Sequence, residues 1–189
     1  MENIQKPTAS RAVLFGIVGG IIGSLAMIGP KMISNIQLEM PYNVNWIVFG
    51  IVFGADQPNA FAVGLGIHVV TGIIIGAIFG IITGKITKLR INKISRGVVF
   101  GIITGLIVFG VFFIPMLENV LAPNLMKLMM GMNPDAPIDM LKQKMQTKLP
   151  IVIQTSLGLH ILFGAVLGTV SSVLTSRAIT PNNTASSIG

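Results

Sequence analysis

Residues 64–84 read GLGIHVVTGIIIGAIFGIITG, and within them Gly64, His68, Gly72, Gly76, Gly80 and Gly84 recur every fourth residue. Positions four apart lie one above another on a helix. The stretch therefore predicts a helix with a column of glycines broken by one histidine. No charge falls between Asp56 and Lys85. In water each glycine would weaken a helix by roughly 1 kcal/mol. A column of them makes sense where a second backbone approaches closely, as helix pairs in lipid require. The chain is 52% hydrophobic and 10% charged. That is too little polar surface to coat a water-soluble globule, so the solvent is lipid. The expected fold class is an all-α integral membrane protein.

Four apolar stretches are long enough to span a bilayer, which takes about 20 residues each. They lie at about 12–31, 59–84, 97–117 and 151–176. A polar tail covers 1–10, and a basic loop over 85–95 separates the second and third spans. The tail over 177–189 is rich in Asn, Thr and Ser and predicts disorder. A secretory signal is the rival reading of the first stretch, with Ser24-Leu25-Ala26 as a cleavage site. The internal partner described below argues against it. Pro30 and Lys31 mark the expected exit of the first span.

The two outer linkers, 32–58 and 118–150, each carry a short apolar segment. Residues 46–54 (WIVFGIVFG) are too few to span. They predict a helix that lies in the interface or dips into protein, with Trp46 and Tyr42 near headgroup level. Ile138, Leu141, Met145 and Leu149 mark one face of an amphipathic helix, with Lys142, Lys144 and Lys148 on its other faces.

The net charge of +7 is explained by topology. Lys6, Arg11, Lys85, Lys88, Arg90, Lys93, Arg96 and Arg177 share one side with only Glu2 against them. The other side holds Lys31, Lys127, Lys142, Lys144 and Lys148, offset by Glu39, Asp56, Glu118, Asp135 and Asp139. This bias predicts a multi-pass protein of the cell membrane with both termini in the cytoplasm. The loop KITKLRINKISR could also meet nucleic acid or anionic lipid. Topogenic charge accounts for it more simply, and no nucleic-acid partner is expected.

The chain repeats itself. Arg11, Phe15, Gly16, Ile17 and Gly20 match Arg96, Phe100, Gly101, Ile102 and Gly105 at an offset of 85, and Pro30 then meets Pro115. Gly66, His68, Gly72 and Gly76 match Gly158, His160, Gly164 and Gly168 at an offset of 92. Two helical hairpins, 11–84 and 96–176, thus form two copies of one unit, entering the membrane in the same sense as parallel repeats. The expected helix-packing positions are Gly16, Gly20, Gly64, Gly72, Gly76, Gly80, Gly84, Gly101, Gly105, Gly164 and Gly168.

His68 and His160 are the only histidines, each about 14 Å below the outer surface at 1.5 Å per residue. Intramembrane ionisable groups are functional candidates. The two imidazoles could bind a metal or relay a proton on the pseudo-twofold axis. The plainer reading is two neutral rings donating to backbone, or to Thr71, Thr155 or Ser156, across a tight interface. No carboxylate or thiol lies within the spans to complete a metal site. Met126, Met129, Met130, Met132, Met140 and Met145 crowd the second linker, and thioethers are soft ligands for Cu(I). Gap-filling by methionine at an apolar contact competes with that reading. There is no cysteine. Phosphate-loop, nucleophile-elbow and metalloprotease motifs are absent. No catalytic residue and no cofactor are assigned.

The duplicated pattern resembles small four-helix membrane proteins, mostly archaeal, of uncharacterised families. In these a first span ends in a Gly-Pro-x-Met-like segment and a second carries a His followed by spaced glycines. The matching pieces are Gly29-Pro30-Lys31-Met32 with His68, and Ile114-Pro115-Met116 with His160. The resemblance covers about residues 10–176, and the second copy lacks the Gly before Pro. A narrower resemblance is to an accessory, non-catalytic subunit of the archaeal ammonia monooxygenase, a membrane copper complex. It rests on the Ile/Lys-rich, cysteine-free chain and the methionine-bearing outer face. It implies that catalysis lies on other subunits. The expected function is a structural or assembly subunit contacting lipid and other integral membrane subunits. The alternative is a small channel or transporter with a pathway past His68 and His160. An enzyme would need a metal.

Overall fold

The computed structural model describes residues 8–86, 89, 91 and 93–179. Residues 1–7, Lys88 and Arg90 lie outside them; of the tail 177–189 expected to be disordered, residues 177–179 instead continue the last helix and those from 180 lie outside. Five helices follow in order: α1 Ala9–Gln37, α2 Val44–Val52, α3 Gln57–Lys85, α4 Ile94–Met132 and α5 Ile138–Ile179. The described residues contain no strand. Four of the helices, all but α2, are long and apolar enough to cross a membrane.

The helices run further than the apolar stretches suggest. Pro30 does not end α1, which continues to Gln37. The third helix does not stop at 117. It runs unbroken to Met132. Pro150 lies inside α5, joining the amphipathic stretch of the second linker to the fourth span. A proline removes one backbone donor and crowds the preceding turn, but neighbouring helices and local changes of pitch can absorb both costs. In α4 that change is visible. Phe109–Phe113 and Leu117–Leu121 are wound as π-helix on either side of Pro115, and the second precedes Pro123. Asn119 Nδ2 donates to the carbonyl of Pro115 at 2.8 Å, and Asn124 Nδ2 to that of Val120 at 2.8 Å.

The turn after α1 is closed by side chains. Glu39 takes a left-handed φ of 54°. Asn35, 1% exposed, donates through Nδ2 to the carbonyl of Tyr42 at 2.9 Å. Its Oδ1 accepts from Asn45 Nδ2 at 3.3 Å. Lys148 of α5 donates to the carbonyl of Leu38 and lies 3.5 Å from Glu39. An ammonium at the exit of α1 satisfies a free carbonyl and opposes the negative end of the helix dipole. Replacing Lys148 with Met keeps the stem but removes that donor. It is expected to lower stability by about 1 kcal/mol, read as a lower melting temperature in detergent. Lys142→Met, whose partner Asp139 is almost fully exposed, is expected to be neutral.

The four long helices are arranged in the order α3, α1, α5, α4, with α1 and α5 in the middle. Gly16 faces Gly76 and Gly20 faces Gly72, so α1 and α3 are antiparallel. Gly19 meets Leu167 and Gly23 meets Phe163, so α1 and α5 are antiparallel too. Gly101 faces Gly164 and Gly97 faces Gly168, which does the same for α4 and α5. Small residues permit each seam because lipid supplies no hydrophobic drive between apolar helices, so close backbone packing must hold them. Around the seams, Met27, Phe79, Leu159, Phe163 and Leu167 form a buried cluster with Ile91 of the basic loop. Leu14, Ile22, Val70, Ile74, Ile78, Val99, Ile103 and Val111 point outward, as a lipid-facing belt requires.

Candidate functional site

Helix α3 carries its glycine column past two different partners. A Cβ on Gly72, Gly76 or Gly80 would collide with α1 backbone, while one on Gly64 would collide with the carbonyl of Trp46 in α2. A four-residue repeat drifts by about 40° per step against a 3.6-residue turn, so the column cannot face one neighbour throughout. His68 sits where the change occurs. Its Nε2 lies 3.1 Å from the carbonyl of Ser24 in α1, and its ring lies 4.8 Å from that of Trp46 in α2. A carbonyl only accepts, so Nε2 carries the proton and Nδ1 keeps a lone pair. Trp46 is 3% exposed, buried in protein. It is Tyr42 that is exposed, at 52%. Helix α2 is sealed onto α3 by Trp46 over Gly64 and by Gly50 against the backbone of Ala60.

His160 is held differently. Its Nδ1 donates to the carbonyl of Ser156, one turn back on its own helix, at 2.7 Å. Its ring lies 5.5 Å from Phe109 and 5.1 Å from Phe113, both in the π-wound part of α4. Its own carbonyl is what a Cβ on Gly105 would strike. Nδ1 is therefore protonated and Nε2 is the acceptor, the reverse of His68. Thr71 and Thr155 bond to carbonyls of their own helices and take no part.

The two histidines do not occupy equivalent places in their hairpins. Sequence alignment pairs His68 with His160 and Gly76 with Gly168. The contacts pair them otherwise. Gly16 opposes Gly76, and its counterpart Gly101 opposes Gly164; Gly20 opposes Gly72, and its counterpart Gly105 opposes His160. By contact His160 thus stands where Gly72 stands, and His68 corresponds to Ser156. Relative to the sequence alignment, the pairing of α4 with α5 is offset by one turn, about 6 Å, from that of α1 with α3. A four-residue slip keeps small residues in the seam because the column repeats every four.

Lys31, read from sequence as an exit marker, is 8% exposed inside α1 and has no ion pair among the described residues. Among the described residues no three His, Cys, Asp or Glu side chains gather as a metal site would require. Of the outer methionines, Met126, Met129 and Met130 share one face of the α4 extension. Met130, Met132 and Met140 are exposed.

Comparison with protein-family models, with curated proteins and with solved structures finds no match to this chain. Its reading rests on its own residues.

The structure also shows where the expected packing positions fall. Gly16, Gly20, Gly72, Gly76 and Gly80 line the α1–α3 seam, while Gly84 rests on Ala12 at its end and Gly64 packs against α2. Gly101, Gly105, Gly164 and Gly168 line the α4–α5 seam. Gly19 and Gly23, which carry the central seam, and Gly97, opposite Gly168 and Ser172, are additional. The signal for the first two was present: Gly16, Gly19, Gly20 and Gly23 follow the i, i+3, i+4, i+7 pattern of a broad helix face. Asn35 and Asn45 left no periodic trace.

Proposed function

We propose that this protein is a non-catalytic structural or assembly subunit of a larger membrane complex. The observation that carries the proposal is length. Helix α4 has 39 residues and α5 has 42. At 1.5 Å per residue they are about 58 and 63 Å long, against roughly 30 Å of hydrocarbon. The surplus lies at the end where α4 gives way to α5. It carries exposed Met130, Met132, Ile138 and Met140. Apolar side chains grouped beyond the lipid need a protein surface to cover them. The charge bias supports an orientation with both termini in the cytoplasm and this extension outside.

The antiparallel seams α1–α3 and α4–α5, built on matching glycines, also support reading the hairpins as parallel repeats of one unit. The slipped register then marks divergence after duplication. The resemblance to an ammonia monooxygenase accessory subunit makes that enzyme the first complex to look for. In that reading the chemistry belongs to other chains.

Gentle detergent extraction from the native membrane, followed by native mass measurement, tests the proposal. The expected result is recovery with other integral membrane subunits. Recovery only as a free monomer overturns it. The alternative of a channel or transporter needs water at both imidazoles, and here each ring is bonded to helix backbone and packed against aromatic side chains.

A further inference from the structure

We propose that the α4–α5 hairpin has two packed registers one turn apart, and that Phe109 holds it in the observed one. In the first hairpin the α1 side of the seam runs Ala12, Gly16, Gly20 and Ser24, all small. Ser24 ends this column. A Cβ on Gly72 would strike its side chain, and its carbonyl accepts from His68 Nε2 at 3.1 Å. At the offset of 85 the α4 side runs Gly97, Gly101, Gly105 and Phe109. The first three are again small. The fourth carries a benzyl group where the first hairpin has a hydroxymethyl.

In the register of the first hairpin, Gly105 would face Gly164, Gly101 would face Gly168 and Gly97 would face Ser172. Phe109 would then stand over Gly164 as Ser24 stands over Gly72. Two backbones at glycine contact leave no room for a ring between them. A slide of one turn removes the collision. Gly105 then takes the backbone of His160, and Phe109 passes beyond the glycines, its ring edge-on to that of His160 at 5.5 Å. The π-winding of α4 begins at Phe109, so the helix changes pitch where the seam opens.

The glycines themselves do not choose between the registers, because both columns repeat every four residues and a one-turn slide replaces small by small. One-turn steps of this kind let packed elements switch between discrete arrangements. Residues 133–137, which join the two helices, are not helical and can follow a slide of about 6 Å. In the other register α4 moves one turn toward its own N-terminal end and carries Met130 and Met132 with it. His160 then meets the carbonyl of residue 109 as His68 meets that of Ser24.

Electron–electron double resonance between nitroxides on Val99→Cys and Ile151→Cys reads the register of the full-length protein, which has no cysteine of its own. Both positions are exposed and lie far apart along the hairpin, so a one-turn slide lengthens their separation by about 5 Å. Phe109→Ser is expected to give that increase. It should also exchange the Nδ1–H tautomer of His160 for the Nε2–H form of His68, seen in imidazole nitrogen NMR shifts. Phe113→Ala removes the other ring beside His160, but the counterpart of Phe113 is Ile28, already large. It should leave distance and tautomer as in the parent. Labels on Leu14→Cys and Val63→Cys of the first hairpin should not move. Should Phe109→Ser fail to fold, Phe109→Ala is read in the same way. An unchanged separation in folded Phe109→Ser or Phe109→Ala overturns the proposal, as does an equal increase in Phe113→Ala.

Discussion

Gly76→Leu is expected to abolish the folded protein, while Gly66→Ala, ten residues away on the same helix, leaves it at least as stable as the parent. The two glycines look alike in sequence. A Cβ on Gly76 would lie inside the space of the Gly16 backbone, and one on Gly16 would meet Gly76 in the same way. Backbone cannot swing aside as a side chain can. The only response is to part α1 from α3 along the whole seam. Overpacking a core costs about 1–3 kcal/mol when side chains can yield. Here they cannot, and a leucine adds three more carbons beyond the Cβ. Gly66 has nothing within 4 Å, and alanine there recovers up to about 1 kcal/mol of helix propensity. Yield and melting temperature in mild detergent separate the two outcomes. A well-folded Gly76→Leu protein would mean that α1 and α3 do not meet at this seam.

Trp46→Ala has the second-largest expected effect, and it is local. Helix α2 has 9 residues and no charge, too short to be stable alone in water. It stays because Trp46, Val48 and Gly50 are buried against the rest of the protein. Truncating a buried tryptophan costs about 3–5 kcal/mol, and it also strips the ring that covers His68. We expect α2 to detach while the four long helices remain assembled on their glycine seams. The absence of native cysteine allows a clean reading. Val48→Cys is close in volume and 3% exposed in the parent, so a water-soluble maleimide should not label it. The Trp46→Ala, Val48→Cys double variant should label fully. Continued protection would show that other contacts hold α2.

Both predictions turn on contacts that the sequence only half discloses. The glycine column of α3 is plain in the primary structure, and it identifies a helix made for close approach. It does not say to whom. Gly64, Gly76 and Gly66 are distinguishable only once α2 is laid on one stretch, α1 on another and nothing on the third. The 40° drift per step warns that a single partner cannot take the whole column, yet it names no second one. Trp46 shows the limit of residue-type reasoning. Tryptophan favours the membrane interface on average, but this ring is buried in protein, 4.8 Å from that of His68.

The prolines teach a related lesson. Pro30, Pro115, Pro123 and Pro150 were natural places to end helices, and every one lies inside a helix. In water a proline's lost hydrogen bond and steric clash stop a helix more often than not. In α4 the π-wound turns on either side of Pro115 take up the cost, and the helix continues.

What the residues alone determine is the solvent, the number of spans and the surfaces made for backbone contact. All three follow from local composition and helical period, because an apolar stretch of about 20 residues has no stable alternative to a helix in lipid. The tertiary structure decides which glycine meets which helix and which backbone carbonyl each histidine meets. It also buries Lys31. A column with a four-residue period fits its partner almost equally well one turn up or down. The sequence aligns His68 with His160, yet in the packed structure it is Gly72, facing Gly20, whose place matches that of His160, facing Gly105.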